Sequence, residues 1–208
     1  MQYPTWLKKK VPKTLNNQKI RKLMAEATVH TVCESALCPN RGECFEKGTV
    51  TFMILGNICT RNCQFCAVET AKKGQVIFVD PDESIKISQI SKKLKLKHIV
   101  ITSVTRDDLP DGGASQFFKV IKTVREHTPE VTIEVLTPDF KGDRQALETV
   151  FSASPNVFNH NIETISRLYS AVRPQADYGQ SIRVLSMAKK YTQGYVSKKL
   201  PVPFLVKS

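Results

Sequence analysis

The cysteines of this chain are confined to one stretch, and their spacing points to metal chemistry. All 6 cysteines of the 208-residue protein lie between positions 33 and 66, in two groups of three. The first triad comprises Cys33, Cys38 and Cys44, and the second triad comprises Cys59, Cys63 and Cys66. Thiolates are ligands of zinc and of iron–sulfur clusters. The two triads are therefore the first candidates for chemistry in this sequence.

The number of thiols in each group favours iron–sulfur clusters. A structural zinc site is usually closed by four ligands, so a triad is one ligand short. A [4Fe–4S] cluster held by three thiolates instead leaves one iron open to a substrate or another ligand. Zinc stays an alternative if His30 or a carboxylate supplies the fourth ligand. A disulfide framework fits poorly, because such frameworks mark small secreted chains.

The second triad and its surroundings carry a resemblance to a known family. Residues 59–66 read CTRNCQFC, with Phe65 before the last cysteine, and resemble the CxxxCxxC motif of radical S-adenosylmethionine (SAM) enzymes. The first triad, CxxxxCxxxxxC, is similar to the auxiliary cluster site of the lipoyl synthase family. The resemblance runs from about Trp6 to about Val196. It includes the segments PTWLKKKVP, TSVTRDDLPDGGA, VLTPDF and FNHNIET and the pair Arg173-Pro174.

This resemblance implies two [4Fe–4S] clusters and SAM as cofactors. The second triad would hold the reducing cluster, which binds SAM and cleaves it to a 5′-deoxyadenosyl radical that removes hydrogen from an unactivated methylene. The first triad would hold a second cluster, consumed as sulfur donor. Two rounds would insert sulfur at C6 and C8 of a protein-bound octanoyl group. The implied partners are octanoylated lipoyl carrier protein domains and an electron donor such as flavodoxin or ferredoxin.

Polar residues follow two of the predicted strands, where βα barrels place their active sites. Thr102 and Ser103 end one strand, and Asn159, Asn161 and Glu163 end another. We predict SAM contacts for these five residues. The resemblance adds Phe65 and Arg173 to the predicted SAM contacts. The positive charge of Arg173 suits a carboxylate. Helix capping by Asn161 and a surface ion pair of Arg173 are the alternatives.

Strands and helices alternate along the chain, which favours βαβ units and a parallel sheet. The predicted strands cover residues 49–55, 98–102, 131–136 and 157–161. The predicted helices cover residues 20–27, 81–96, 113–125, 143–151, 163–172 and 178–191. Four units are visible. Together with the resemblance they imply an α/β fold, a partial (incomplete) TIM-type βα barrel of the radical SAM kind with an N-terminal cluster-binding extension.

The chain divides into three predicted parts. Residues 1–48 form an N-terminal arm whose thiol segment, 31–48, is expected to follow an irregular path, and residues 49–196 form the barrel core. Residues 197–208 form a divergent tail in which Pro201 and Pro203 argue against a central strand. The tail lacks the serine motif that ligates the auxiliary cluster in lipoyl synthases. We therefore expect a chain truncated at its C-terminus, with a non-catalytic iron–sulfur or zinc module as the alternative function.

Charge and composition narrow the remaining choices of partner, cellular location and function. The net charge is +12, but the basic residues are scattered and no nucleic-acid motif appears, so we expect no nucleic acid among the partners. No apolar run is long enough to span a membrane, and clustered thiols without an export signal predict a cytoplasmic protein. A radical SAM enzyme of another specificity, acting on a free acid, is a further alternative that the first triad disfavours.

Overall fold

A sheet of six strands forms the centre of the structure, a computed structural model that describes residues 14–35, 38, 40–197 and 204–208. The strands are, in chain order, β1 (His30–Thr31), β2 (Thr49–Ile54), β3 (Ile58–Cys59), β4 (Glu69–Thr70), β5 (His98–Ser103), β6 (Thr132–Leu136), β7 (Val157–Asn159) and β8 (Leu205–Lys207). The main sheet has the order β1-β2-β5-β6-β7-β8. Its strands pair in parallel, except that β1 runs antiparallel to β2. Strands β3 and β4 form a separate parallel pair.

Helices connect the parallel strands. The helices are, in chain order, α1 (Thr14–Glu26), α2 (Val32–Ser35), α3 (Arg41–Glu46), α4 (Glu83–Lys93), α5 (Ala114–His127), α6 (Arg144–Ser152), α7 (Tyr169–Val172) and α8 (Tyr178–Ser197). Short 3₁₀ helices lie at Phe140–Gly142 and Ser166–Leu168. Parallel neighbours require a crossover connection, and α4, α5 and α6 each supply one. Helix α5 buries five residues at helical spacing completely: Ala114, Phe117, Val120, Ile121 and Val124.

The strand register brings one row of residues together near the carboxyl ends of the sheet. Met53 pairs with Thr102, Thr102 with Leu136, and Leu136 with Asn159. Side chains alternate between the two faces of a strand, and laterally paired residues share a face. The row therefore lies on one face, at the edge where parallel sheets place their ligand sites.

The end of the chain forms a strand that was not predicted from the sequence. Residues 205–207 form an edge strand parallel to β7, whereas the prolines of this segment argued only against a central strand. Both prolines precede the strand and lie outside the described residues. Phe204, which is 5% exposed, packs at centroid distances of 5.3–6.0 Å against three rings, those of Phe151, Phe158 and Tyr191. This tertiary packing fixes the strand.

The first thiol segment is also more regular than expected. The irregular path predicted for residues 31–48 is wrong, because the segment contains the end of β1 and helices α2 and α3. The arm's β1 joins the main sheet beside β2. The part of the predicted arm before residue 14, with the segment PTWLKKKVP, lies outside the described residues.

Most other predicted elements occur with shifted ends. Helix α1 begins six residues before the predicted 20–27 helix, and α4 begins at Glu83 rather than Pro81. Asp80, the residue before the predicted helix, accepts a hydrogen bond from the backbone N–H of Asp82 at 2.9 Å. A continuous helix over 163–172 is wrong: helical backbone begins only at Ser166. Glu163 has a φ of +67°, which a right-handed helix does not accommodate.

Glu83 holds the carboxyl end of β2 in place. Its carboxylate is 6% exposed. It accepts hydrogen bonds from the backbone N–H of Leu55 at 3.0 and 3.2 Å and from Gln116 Nε2 at 2.8 Å. Leu55 has a φ of +67°, so this contact stabilises a strained backbone. This backbone lies just before the second thiol loop, which carries Cys59, Cys63 and Cys66.

We expect the substitution Glu83→Ala to lower the free energy of unfolding by about 2 kcal/mol, because it leaves buried donors without acceptors. Chemical denaturation monitored by circular dichroism measures this change. Glu126→Ala, an exposed glutamate of α5, is the matched control and should stay within about 0.5 kcal/mol. Equal stabilities of the two variants would contradict the anchoring role of Glu83.

Candidate functional site

The second triad lies in a loop that leaves the carboxyl end of β2. The pairing of β3 with β4 closes this loop at its base, and the Ala71 N–H donates to the Cys59 carbonyl at 2.8 Å. The Thr60 N–H donates to the Thr105 carbonyl, beyond β5, and the Gln64 N–H donates to the Val172 carbonyl, both at 2.9 Å. Residues 59–66 are therefore held between the end of β5 and the end of α7.

The thiols of this loop lie close enough to interact. Cys59 and Cys63 are half-buried and Cys66 is exposed. Burial raises the pKa of the Cys63 thiol, and the charge of Arg173 and its hydrogen bond to the thiol oppose this rise. The neighbouring thiols, those of Cys59 and Cys66, raise the same pKa. Cys63 therefore lies close enough to both neighbouring thiols to feel their charge, as expected for ligands of one centre.

A cavity of about 300 Å³ opens beside this loop, at the carboxyl edge of the main sheet. Nine of the residues predicted from the sequence line it: Cys59, Cys63, Phe65, Cys66, Thr102, Ser103, Asn161, Glu163 and Arg173. The register row contributes Met53, Thr102 and Leu136. The cavity therefore collects side chains from three strands, the thiol loop and the segment before α7.

Asn159 belongs to the same row but is not among the cavity-lining residues. Its side chain is 8% exposed. Its Nδ2 donates to Glu134 Oε1 at 3.5 Å. Glu134 also lies 3.3 Å from His98 Nε2 and 3.2 Å from Lys207 Nζ. Asn159 thus belongs to a polar cluster centred on Glu134, outside the cavity lining. Its contact with SAM stays a prediction.

Several buried polar atoms in the cavity wall have no partner within the described part of the chain. Over all described residues, eight side-chain atoms are buried without a hydrogen bond, and four of these atoms belong to residues that line the cavity. These four are Ser103 Oγ, Thr137 Oγ1, His160 Nε2 and Arg173 Nε. Buried polar groups are normally satisfied. The concentration of unsatisfied ones here is the signature of a site for a polar ligand.

His160, which the sequence gave little reason to select, supplies an acceptor to this wall. It is 1% exposed, and its Nδ1 lies 3.0 Å from the Thr137 carbonyl. A carbonyl only accepts, so Nδ1 carries the hydrogen. Burial lowers the pKa of His160, which favours the neutral ring. Nε2 is then a bare lone pair, ready to accept from a ligand N–H or O–H. The only sequence signal was its place directly after a buried strand.

Arg173 is held against the cavity by the segment around α7. Its guanidinium lies 5.4 Å from the Tyr169 ring centre, and Nη1 donates to the Asn161 carbonyl at 3.3 Å. The Asn161 side chain donates to Glu163 Oε1 at 2.9 Å instead of capping a helix. No carboxylate forms an ion pair with Arg173 among the residues described. Both structural alternatives weighed for these two residues are therefore absent from this part of the chain.

Cys33 of the first triad contacts the wall of the same cavity through Thr51. Cys33, in α2, is 7% exposed, and Cys38 and Cys44 are half-buried. Burial raises the pKa of the Cys33 thiol; hydrogen bonds with Thr51 oppose the rise, and the other two thiols of the triad add to it. Thr51, in β2, lines the cavity, as does Val32. One residue of β2 therefore borders both the first triad and the cavity beside the second.

The donor sets suit iron–sulfur clusters, which are held by cysteine thiolates. Within the described ranges, no three His, Cys, Asp or Glu side chains are grouped closely enough to hold a single metal ion. No helix in the described part of the chain is long and apolar enough to cross a membrane.

The chain belongs to the radical SAM superfamily, whose sequence model matches residues 53–200. Among curated relatives it is similar to the lipoyl synthase of Rubrobacter xylanophilus, with 52% identity over 195 residues, which is 94% of this chain and 60% of that protein. It is 49% identical over 187 residues to the lipoyl synthase of Chlorobaculum parvum, covering 90% of this chain and 63% of that protein. The chain thus spans about three fifths of the length of the relatives it matches.

Solved structures confirm the fold class. The crystal structure of HydG, a maturase of the [FeFe]-hydrogenase, matches with a TM-score of 0.54 at 13% identity, over 85% of this chain and 48% of that one. Methylornithine synthase (PylB) matches with a TM-score of 0.51 at 14% identity, over 85% and 50%. The prediction of an α/β partial barrel of the radical SAM kind is therefore confirmed.

Proposed function

We propose that this chain carries the chemistry of a lipoyl synthase, the SAM-dependent insertion of two sulfur atoms at C6 and C8 of a protein-bound octanoyl group. The observation that carries the proposal is the placement of the two triads. Thr51 contacts Cys33 of the first triad and lines the cavity into which the second triad faces. A sulfur donor and a radical source must act on the same methylene chain, so a shared wall between two thiol sites suits this reaction.

The six cysteines would hold two [4Fe–4S] clusters. Cys59, Cys63 and Cys66 would hold the reducing cluster, and Cys33, Cys38 and Cys44 the sulfur-donating one. When bound, these clusters supply an electron to SAM and sulfur to the substrate. The chain itself positions the thiolates, provides a lined cavity and limits the access of water through the apolar side chains of Met53, Leu136 and Val68.

The unsatisfied polar atoms of the cavity suit SAM, which carries a carboxylate, an amino group and ribose hydroxyls. Arg173 Nε is a free donor for the carboxylate. Glu163 and Asn161 border the cavity beside it and offer oxygen acceptors for amino or hydroxyl groups. Ser103 Oγ can donate or accept, whereas the Thr102 hydroxyl already donates to the Leu136 carbonyl at 2.8 Å. Phe65, 53% exposed, would cover the cofactor from the loop side.

We expect Arg173→Gln to weaken SAM binding roughly tenfold, because it removes one charge-assisted hydrogen bond. Equilibrium dialysis of SAM against the anaerobically reconstituted protein measures this affinity. Arg144→Gln is the matched control, since Arg144 is an exposed arginine of α6 that pairs with Glu148 on the same helix. Unchanged affinity in Arg173→Gln would remove this residue from the proposed SAM site.

We further propose octanoylated lipoyl carrier domains as the substrate and a flavodoxin or ferredoxin as the electron donor. The similarity to lipoyl synthases supports the substrate. The net charge of +12 supports acidic protein partners, since complementary charge speeds association.

Anaerobic reconstitution with iron and sulfide tests the proposal against a zinc module and against a non-catalytic one. We expect about eight irons per chain, from two clusters of four, and formation of 5′-deoxyadenosine from SAM after reduction. Zinc in place of iron would contradict the cluster assignment. Iron without 5′-deoxyadenosine would leave a cluster-binding module and refute the enzymatic proposal.

A further inference from the structure

Arg61 lies inside the second thiol loop, between Cys59 and Cys63, yet its side chain is 6% exposed. The guanidinium makes four hydrogen bonds to two carboxylates. Nε and Nη2 donate to Asp107 at 2.7 and 3.0 Å, and Nη1 and Nη2 donate to Asp139, both at 2.8 Å. Both carboxylates are thus bound in the two-pronged geometry that arginine provides and lysine cannot.

The two carboxylates belong to different strand ends. Asp107 follows β5, and Asp139 follows β6. The Asp139 side chain has no exposed surface and also accepts from the Lys141 N–H at 3.0 Å. The Arg61 side chain therefore fastens the thiol loop to the ends of two strands that line the cavity. These partners lie 46 and 78 residues away in sequence.

The backbone at the same point contacts a cluster ligand. The Arg61 N–H donates to Cys59 Sγ at 3.4 Å. The preceding Thr60 donates to the Thr105 carbonyl through both its N–H and its hydroxyl, at 2.9 Å each, and its hydroxyl accepts from the Asp107 N–H at 3.0 Å. Hydrogen bonds to cluster sulfurs, and nearby charge, alter reduction potential.

We propose that Arg61 is a positioning residue for the cluster of the second triad. Through Asp107 and Asp139 it holds the segment from Cys59 to Cys63, and it thereby determines how firmly this triad retains its cluster and how readily that cluster is reduced. The inference rests on the proposed function only in requiring a cluster in the second triad.

The test compares Arg61→Lys with Arg106→Lys, both in the Cys38→Ala background, where only the second triad should hold a cluster. Arg106 is an equally buried arginine, 1% exposed, that pairs with Asp108 at 2.7 Å and donates to the carbonyls of Leu55 and Ile77. An iron chelator is added to each reconstituted protein, and cluster loss is followed by absorbance. We expect roughly tenfold faster loss in Arg61→Lys, a typical cost of losing an outer-shell partner, and no acceleration in Arg106→Lys.

A second pair of variants keeps the proposal testable if Arg61→Lys does not fold. Asp107→Asn should disturb folding less than Arg61→Lys, because the Asp107 side chain is 25% exposed and that of Arg61 is 6% exposed. Removing this negative charge should increase the reduced fraction of the cluster at a fixed potential, measured by electron paramagnetic resonance. Asp108, which pairs with Arg106, provides the matched control. Asp108→Asn should leave the reduced fraction unchanged.

The outcomes separate this inference from the function on which it rests. Equal cluster loss in Arg61→Lys and Arg106→Lys, or equal reduced fractions in Asp107→Asn and Asp108→Asn, would overturn the positioning role alone. A chain that takes up no cluster in the second triad would overturn both the role and the proposed function.

Discussion

Replacing Cys63 by alanine should abolish SAM cleavage. The site would retain two thiolates from this triad, too few to hold the cluster in its binding geometry, so the yield of 5′-deoxyadenosine should fall by more than about 100-fold, beyond the cost of losing an outer-shell partner. Liquid chromatography of the anaerobic reaction measures this yield. Cys63 is half-buried, so circular dichroism should accompany the assay.

The exposed cysteine of the same triad provides the control for folding. Cys66 can be replaced by alanine with little effect on packing, and Cys66→Ala should lose SAM cleavage to the same extent. Undiminished 5′-deoxyadenosine in either variant would refute the assignment of this triad as the reducing site.

Replacing Cys38 by alanine should have the reciprocal effect. The second triad stays intact, so 5′-deoxyadenosine should still form, whereas the lipoyl product should disappear because the sulfur-donating cluster is lost. Cys38 is half-buried and suits this experiment better than Cys33, which is 7% exposed and part of the core. Mass spectrometry of the carrier peptide measures the product.

The comparison of Cys38→Ala with Cys63→Ala separates the two roles within one chain. Loss of SAM cleavage in both variants would indicate that the triads cannot be assigned separate functions. Lipoyl product in Cys38→Ala at the level of the unsubstituted chain would refute the donor role of the first triad.

The alternation of apolar strands and amphipathic helices made the parallel core predictable from the sequence. Residues 98–102 and 131–136, for example, are short apolar runs bounded by polar residues, and β5 and β6 lie there with ends shifted by one residue. Such runs bury both faces of the strand, which requires helices on one side and a filled interior on the other. This part of the fold is encoded locally.

The elements that were missed depend on contacts between distant residues. Strand β8 follows two prolines and has no sequence pattern of its own, and it forms because Phe204 enters an aromatic cluster of α6, β7 and α8. The predicted helix over 163–172 begins only at Ser166. Glu163, the first residue of that prediction, instead lines the cavity.

The site was predictable where chemistry is concentrated in the sequence and hidden where it is not. The cysteines can be selected by their type and spacing, and the polar residues that follow strands can be selected by their position. Arg61 has neither signal, because its partners Asp107 and Asp139 come from other strand ends. His160 has no signal in the sequence beyond its place after a strand, and its unpartnered Nε2 in the cavity wall distinguishes it in the structure.

The most direct test of the account is mass spectrometry of an octanoylated carrier peptide incubated anaerobically with the reconstituted chain, SAM and a reductant. We expect a peptide whose mass has increased by two inserted sulfur atoms, formed together with 5′-deoxyadenosine. An octanoyl peptide of unchanged mass, in a reaction that produces 5′-deoxyadenosine, would contradict sulfur insertion by this chain and would limit it to SAM cleavage.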